Sequence, residues 1–403
     1  MIRGNDFGRL QLAICLPIGL LALVFSALGL YATILFLRHL HLPKVRRSGL
    51  VTLILPLTGK ATGLEGLLSA LDTQSLVPRR LIICVESTDD PAYRRASELA
   101  NGVGFPVEIV LAGEACQCAQ KCANQIAGLQ RIDLRDEAVV FLDADILPPS
   151  WWLSALVSPL LDGTADVVSG YRWPIISPAV PATRLGAQLV ASIDRAVALL
   201  PRLSGFDIVW GGSLALSAQA IVTLQPGLIL ATTLSDDCTL GQYAAAHDLR
   251  VLTRRALLVP TPTSGGLVCE WRFGRRQYQI IHLYRPRIWW LAATVLTVRL
   301  GAWALLFAHL DDAGARLVMS ALIMMSFAGF VVHLLIAQCL GVLDRAGVCL
   351  GQGLLALLKP LVDLFHWSAV VAALYCRSIR WGHIVYRIAG PNKITIRRRT
   401  PWA

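Results

Sequence analysis

Long uninterrupted apolar runs at both ends of the chain flank a central block of short apolar runs separated by amphipathic ones. Leu12 to Leu37 contains no charged residue and is long enough to cross a bilayer as a helix. Ile288 to Leu310 is apolar except for Arg299, and Leu317 to Leu343 forms another such run. The first run is too long for the core of a cleavable signal peptide. It leads into Arg38, Lys44, Arg46 and Arg47, which reads as a retained anchor with its carboxyl side in the cytoplasm. Ala346 to Cys376 is interrupted by Lys359-Pro360, Asp363 and His366. Three crossings return the chain to the cytoplasm near Asp344, and a fourth would put a very basic tail outside. The pattern therefore predicts a re-entrant or interfacial helix pair there. Arg299 is costly at bilayer depth unless paired, hydrated or snorkelling, and Asp363 is a possible partner.

The central block alternates strand with helix. Val51 to Pro56, Arg80 to Val85, Val107 to Leu111 and Ala138 to Leu142 read as strands. Leu64 to Ser75, Pro91 to Ala100 and Cys118 to Leu129 carry helical spacing between them. Such alternation predicts an α/β domain with a Rossmann-like, mostly parallel sheet covered on both faces. Ligands of such sheets bind beyond the carboxyl ends of the strands. Past Pro149 the alternation loosens into a helix over Trp151 to Leu161, a strand over Asp166 to Tyr171 and a helix over Thr183 to Leu200. In Gly205 to Ser213, Trp210-Gly211-Gly212 reads as a hairpin or tight connection that also lets backbone approach a ligand.

Composition agrees with a membrane protein: mean hydropathy is +0.58, and of 403 residues 55% are hydrophobic and 16% charged. The net charge of +11 does not point to nucleic acid. Its cations cluster beside the apolar runs, at Arg272 to Arg287 and Arg377 to Arg399, and no zinc-finger spacing or aromatic-basic platform accompanies them. The ten cysteines are scattered, as suits a reducing compartment. The cluster Cys116, Cys118 and Cys122 lacks the distant Cys/His pair of a zinc site.

Candidate chemistry starts at Phe141-Leu142-Asp143-Ala144-Asp145, where a buried-type strand ends in two carboxylates. Residues two apart on a strand point the same way, so Asp143 and Asp145 can share one hard cation, Mg²⁺ or Mn²⁺. Further acids follow the second strand, at Glu86 and Asp89-Asp90, and open a later helix, at Asp236-Asp237. Arg272, Arg275 and Arg276 follow. Transfer of a sugar from a nucleotide needs these parts: polar groups for the base, a metal for the diphosphate, a carboxylate base and arginines. Each has a plainer account. Asp89-Asp90-Pro91 reads equally as a helix cap, Asp236 and Asp237 as first-turn acids, and the arginines as topology signals. Lys121 and Asn124, i and i+3 on one helix, read first as a solvated face. Gly59-Lys60 does not complete a phosphate loop, since Ile54 stands where its first glycine belongs.

Over roughly the first 290 residues the chain resembles the membrane-bound family-2-like glycosyltransferases, most closely the ceramide glucosyltransferase group. Leu55-Pro56-Leu57-Thr58-Gly59-Lys60 is similar to that group's K-P-L-K-G, and Cys84-Val85-Glu86-Ser87-Thr88-Asp89-Asp90-Pro91-Ala92 to its C-V-Q-D-H-D-D-P-A. Lys121 and Asn124 match its K-x-x-N, Asp143 and Asp145 its second aspartate site, and Ser235-Asp236-Asp237 its E-D pair. Arg272-Phe273-Gly274-Arg275-Arg276 departs from [Q/R]-x-x-R-W, with Arg276 in place of Trp. The resemblance implies a GT-A fold, a UDP-sugar donor, Mg²⁺ or Mn²⁺, inversion at the anomeric carbon and a membrane-lipid acceptor. It implies Asp237 as general base and Asp143 with Asp145 at the metal. Pro56, Glu86, Asp89, Asp90, Lys121 and Asp143 fall to the donor, and Trp210, Gly211, Gly212, Asp236, Arg272, Arg275 and Arg276 to the acceptor or diphosphate.

The chain then divides into an anchor with its basic flank (1–46), a cytoplasmic GT-A domain (47–287), transmembrane or interfacial helices (288–376) and a basic cytoplasmic tail (377–403). Beside a lipid glycosyltransferase stand a processive polysaccharide synthase and a non-catalytic binding module on the same fold. Oligomeric state is not legible.

Overall fold

The computed structural model describes residues 4–41, 48–200 and 209–402. Lys44, Arg46, Arg47 and positions 205–208 lie outside the described residues. In chain order the elements are α1 (Gly4–Arg38), β1 (Val51–Pro56), α2 (Leu64–Asp72), β2 (Arg80–Val85), α3 (Pro91–Leu99), β3 (Val107–Leu111), α4 (Gln120–Leu129), β4 (Ala138–Leu142) and α5 (Trp152–Leu161). There follow β5 (Val167–Ile176), α6 (Leu185–Ala198), β6 (Ser213–Ser217), α7 (Ala218–Leu224), α8 (Pro226–Leu230), α9 (Asp236–Ala246) and β7 (Val251–Thr263). Then come α10 (Leu267–Tyr284), α11 (Pro286–Ala308), α12 (Ala313–Cys339), α13 (Ala346–Leu357), α14 (Lys359–Tyr375), β8 (Ser378–Trp381), β9 (Ile384–Gly390) and β10 (Lys393–Arg399). The chain forms two compact units, one of Met1–Leu40, Pro174–Pro201 and Thr263–Tyr375, the other of His41–Trp173, Arg202–Pro262 and Cys376–Ala403.

The second unit is built on a seven-stranded sheet in the order β3-β2-β1-β4-β6-β5-β7. β1 pairs in parallel with β2 and β4, and β2 with β3, whereas β6 runs antiparallel to β4 and β5. The first four strands fall at the bounds their sequence predicts. They are continuous apolar runs because both faces are covered: every residue of β4 is buried, as is all of β1 before Pro56. Strand order reverses between β1 and β4, so a crevice opens beyond their carboxyl ends. α4 lies close over β1 and β2. A Cβ at Gly128 would stand 2.6 Å from Ile54 Cγ2, so only glycine permits this approach.

Residues 378–399, expected as a basic tail, form a three-stranded antiparallel sheet in the order β10-β9-β8. Ile379, Ile384, Tyr386 and Ile394 are buried and alternate with residues of the opposite face, most of them polar. That period of two is obscured in the sequence by the density of arginine. The short β6, the end of β5, β7 and α10 were likewise not legible from periodicity.

In the first unit three helices are long and apolar enough to cross a membrane, Cys15–Arg38, Pro286–Ala308 and Ala313–Cys339. Small residues, Ala22, Ala302 and Ala315, allow α1, α11 and α12 to pack around Trp303, Leu306 and Leu322. α13 and α14 meet at 84° across a one-residue break, the geometry of a broken span or a re-entrant loop. The partner proposed for Arg299 is present: its Nη2 lies 3.0 Å from Asp363 Oδ2, with Lys359 Nζ 3.3 Å from Oδ1 and the Trp303 indole donating at 3.1 Å. Arg272, Arg275 and Arg276 lie on α10 of this unit, where Arg275 sits over the Trp271 ring and Arg276 over Phe273.

Candidate active site

Four segments bring acids and one lysine together beyond the carboxyl ends of β1 and β4. β4 delivers Asp143 and Asp145, α4 carries Lys121 on its first turn, the turn before β6 supplies Gly211 and Gly212, and α9 opens with Asp236 and Asp237. Lys121 Nζ lies 2.7 Å from Asp143 Oδ1 and 3.2 Å from Asp236 Oδ2, bridging acids 93 positions apart. Gln125, one turn along α4, donates to Asp236 Oδ2 at 2.6 Å. Asp237 accepts from Ser235 Oγ at 2.6 Å, from its neighbour's amide (Cys238) at 2.7 Å and from the Gly211 amide at 3.2 Å. Gly211 and Gly212 are required by crowding. A Cβ at Gly211 would stand 2.5 Å from Asp236 Oδ2, and one at Gly212 2.8 Å from Asp143 Oδ2. The Trp210 amide donates to Ser169 Oγ at 2.9 Å, and its ring tilts against Tyr171.

Electrostatics follow from crowding. Burial opposes charge on Lys121, but Asp143, Asp236 and Asp237 together raise its ammonium above the ordinary lysine range. Burial, then repulsion from Asp236, pushes the Asp237 carboxyl upward, against the pull of Lys121. Desolvation at the crevice floor, then the charge of Asp143, raises Asp145, with Arg172 and Lys121 pulling the other way. Asp145 nevertheless reaches solvent. A carboxylate exposed to a crevice and crowded by a second one is where an added cation is most favoured.

The other residues singled out in the sequence have definite places. Pro56 ends β1, half-buried, opposite Cys84. Asp89 is exposed. Asp90 is buried and caps α3, accepting from the Ala92 amide at 2.9 Å and the Gly59 amide at 2.8 Å. Asn124 is not on a solvated face: it is 1% exposed and donates to the carbonyls of Leu57 and Cys84, tying together the ends of β1 and β2. Lys121 is turned inward with it. Helical spacing put both on one face, but only packing shows that this face meets the sheet ends.

Glu86 is buried and engaged. Arg399 donates to its Oε1, and His383 Nε2 lies 3.2 Å from its Oε2. Arg399 also donates to the Ala115 carbonyl at 3.1 Å, and the Tyr386 hydroxyl accepts the Gln120 amide at 3.0 Å. α4 has no side-chain cap at its own N-cap, so Tyr386 satisfies a first-turn amide from 266 residues away. These contacts of the C-terminal sheet carry no sequence signal. Gln125 had one, its i+4 spacing from Lys121.

A model of glycosyl transferase family 21 matches residues 16–394. The chain belongs to glycosyltransferase family 21. Solved structures similar to this family 21 protein include glucosyl-3-phosphoglycerate synthase from Mycobacterium tuberculosis in complex with Mn²⁺, uridine diphosphate and phosphoglyceric acid. It is 17% identical over 56% of this chain and 78% of that one, with a TM-score of 0.36. Another is 4-diphosphocytidyl-2C-methyl-D-erythritol synthase from Anaerococcus prevotii, 12% identical over 51% and 88%, with a TM-score of 0.35. Likenesses this distant say nothing about substrate. No curated protein matches the chain.

Proposed function

We propose that this family 21 protein is an inverting glycosyltransferase that moves a sugar from a UDP-sugar to a hydroxyl of a membrane lipid at the cytoplasmic face. A ceramide-like sphingolipid is the first acceptor, with a hopanoid or other polyol lipid as the alternative. The observation that carries the reading is the bridge from Lys121 to Asp143 and Asp236, with Asp237 beside it, at the crevice where strand order reverses. Three membrane-length helices in the same chain favour a lipid acceptor.

Asp237 serves as general base. It takes the proton of the acceptor hydroxyl as that oxygen attacks the anomeric carbon and the bond to UDP breaks, giving inversion in one displacement. Ser235 and the Gly211 amide hold its carboxylate in place. Lys121 and the Gly211-Gly212 backbone face the diphosphate, and Trp210 borders the acceptor side. Arg272, Arg275 and Arg276 are assigned to the same anionic group on the resemblance alone. Pro56 and Asp89 border the nucleoside, Asp90 supports them from behind by capping α3 and holding the Gly59 amide, and Glu86 takes part through its pair with Arg399. Asp143 and Asp145 are the residues that would hold Mg²⁺ or Mn²⁺. Among the described residues no third His, Cys, Asp or Glu joins them, and Mg²⁺ is commonly held by one or two carboxylates together with substrate phosphates. Bound there, the ion supplies charge neutralisation of the departing diphosphate.

The test uses the full chain in lipid nanodiscs. UDP release should require UDP-sugar, Mg²⁺ or Mn²⁺, and a lipid acceptor, with a single-sugar lipid seen by mass spectrometry. Asp237→Asn should lower kcat by about 10²–10⁴ and largely spare donor binding. Asp143→Asn should lose metal-dependent donor binding as well. Polymer as product would make the protein a synthase, and unchanged turnover in both variants would remove the catalytic assignment.

A further inference from the structure

The C-terminal sheet presents two unlike faces. Strand register places Ile379, Tyr386 and Ile396 in one row and Trp381, Ile384 and Arg399 in another, on the side turned toward Glu86 and α4. The opposite side carries the rows Arg380, Val385, Arg398 and Ser378, Arg387, Thr395. Arg380, Arg387 and Arg398 are all exposed there, one from each strand. Arg397, at the register shift between Ile396 and Arg398, adds another exposed cation. Residues 376–403 contain no acid. Among the described residues, Arg399 is the one arginine or lysine of this stretch with an ion pair.

Arg380 and Arg398 each stand diagonally across from Arg387, so the three guanidinium groups form one patch of positive charge, which favours an anion. Cations that merely protect a sheet from edge-to-edge pairing belong on edge strands. Arg387 is on β9, the central strand, and points outward, so edge protection does not account for it. The chain also enters the sheet directly from an apolar helix. α14 ends at Tyr375, which is 80% exposed, and β8 begins three residues later. An exposed tyrosine with an arginine two residues on, Tyr375 and Arg377, is the order in which chains leave a bilayer through its headgroups.

We infer that the outer face of the sheet β8–β10 binds an anionic lipid surface through Arg380, Arg387 and Arg398. The contact bears on the candidate active site through strand alternation: Arg398 faces outward while its neighbour, Arg399, holds Glu86.

The experiment measures amide hydrogen exchange over residues 378–399 of the full chain in nanodiscs of neutral phosphatidylcholine and in nanodiscs containing roughly 30% phosphatidylglycerol. Exchange should slow about fivefold or more with the anionic lipid at low salt, and the difference should vanish near ~0.5 M salt. The triple variant Arg380→Gln, Arg387→Gln, Arg398→Gln should show no lipid dependence. It removes only exposed, mutually repelling charges, and unchanged exchange in β1, β2 and β4 verifies that it folds. The triple lysine variant should keep the response. Equal exchange in both lipids, or a glutamine variant that still responds, overturns the inference. So does a short single-stranded RNA that gives the same protection in neutral nanodiscs.

Discussion

Lys121 is the residue on which the site turns. One ammonium offsets Asp143 and Asp236 and lowers the cost of Asp237 beside them. Replacing it by methionine leaves the acids facing one another with no counter-charge, a loss of about 3–5 kcal/mol where such a pair is buried. Lys121→Met should lower the melting temperature and abolish donor turnover, whereas Lys121→Arg should restore the melting temperature better than turnover. Calorimetry and UDP release on the same samples measure both. On the proposed mechanism Asp237 carries the pH dependence. Its carboxyl is raised above the ordinary aspartate value of about 3.9, so the base form is lost sooner as pH falls. The acid limb of kcat/KM should therefore lie above that value, and a limb at or below it would remove Asp237 as the base.

At the scale of elements, α4 connects the parts. It bears Lys121 and Gln125 toward the acids and Asn124 toward the ends of β1 and β2, and its first amide is satisfied by Tyr386. Tyr386→Phe keeps the ring and removes only that acceptor. An orphaned amide costs about 1–3 kcal/mol when buried. The variant should lose melting temperature and raise donor KM more than it lowers kcat, because α4 holds a donor-side group while Asp237 lies on α9. Equal falls in kcat and kcat/KM with unchanged KM would argue against this role. The helices were legible where apolar spacing was regular, as in α2 and α4. The strands β8–β10 were not, because seven arginines and lysines between 377 and 399 outweigh the alternation of Ile379, Ile384, Tyr386 and Ile394.

For the whole molecule, the C-terminal segment belongs to the unit that holds the candidate site although it follows every apolar helix in the chain. Ending the chain after Arg377 would leave those helices intact and expose Glu86 and the first turn of α4. Such a protein should still enter membranes but release no UDP from a UDP-sugar, which membrane fractionation and the UDP assay measure together. Retained turnover would show the sheet to be dispensable for chemistry.

Local pattern determined a good deal by itself: the bounds of β1 to β4, the membrane-length helices and the acids at strand ends, with Asp363 as one candidate partner for Arg299. Each depends on neighbours in sequence, or on the expense of a charge among apolar residues, and is therefore written locally. Only tertiary structure decided that Lys121 and Asn124 face inward, that Asp90, readable as a cap in the sequence, also holds the Gly59 amide, and that Glu86 is held by Arg399 from 313 positions away. Those outcomes depend on which surfaces pack together, and a buried ion pair between distant segments leaves no periodicity for a reader of the chain to find.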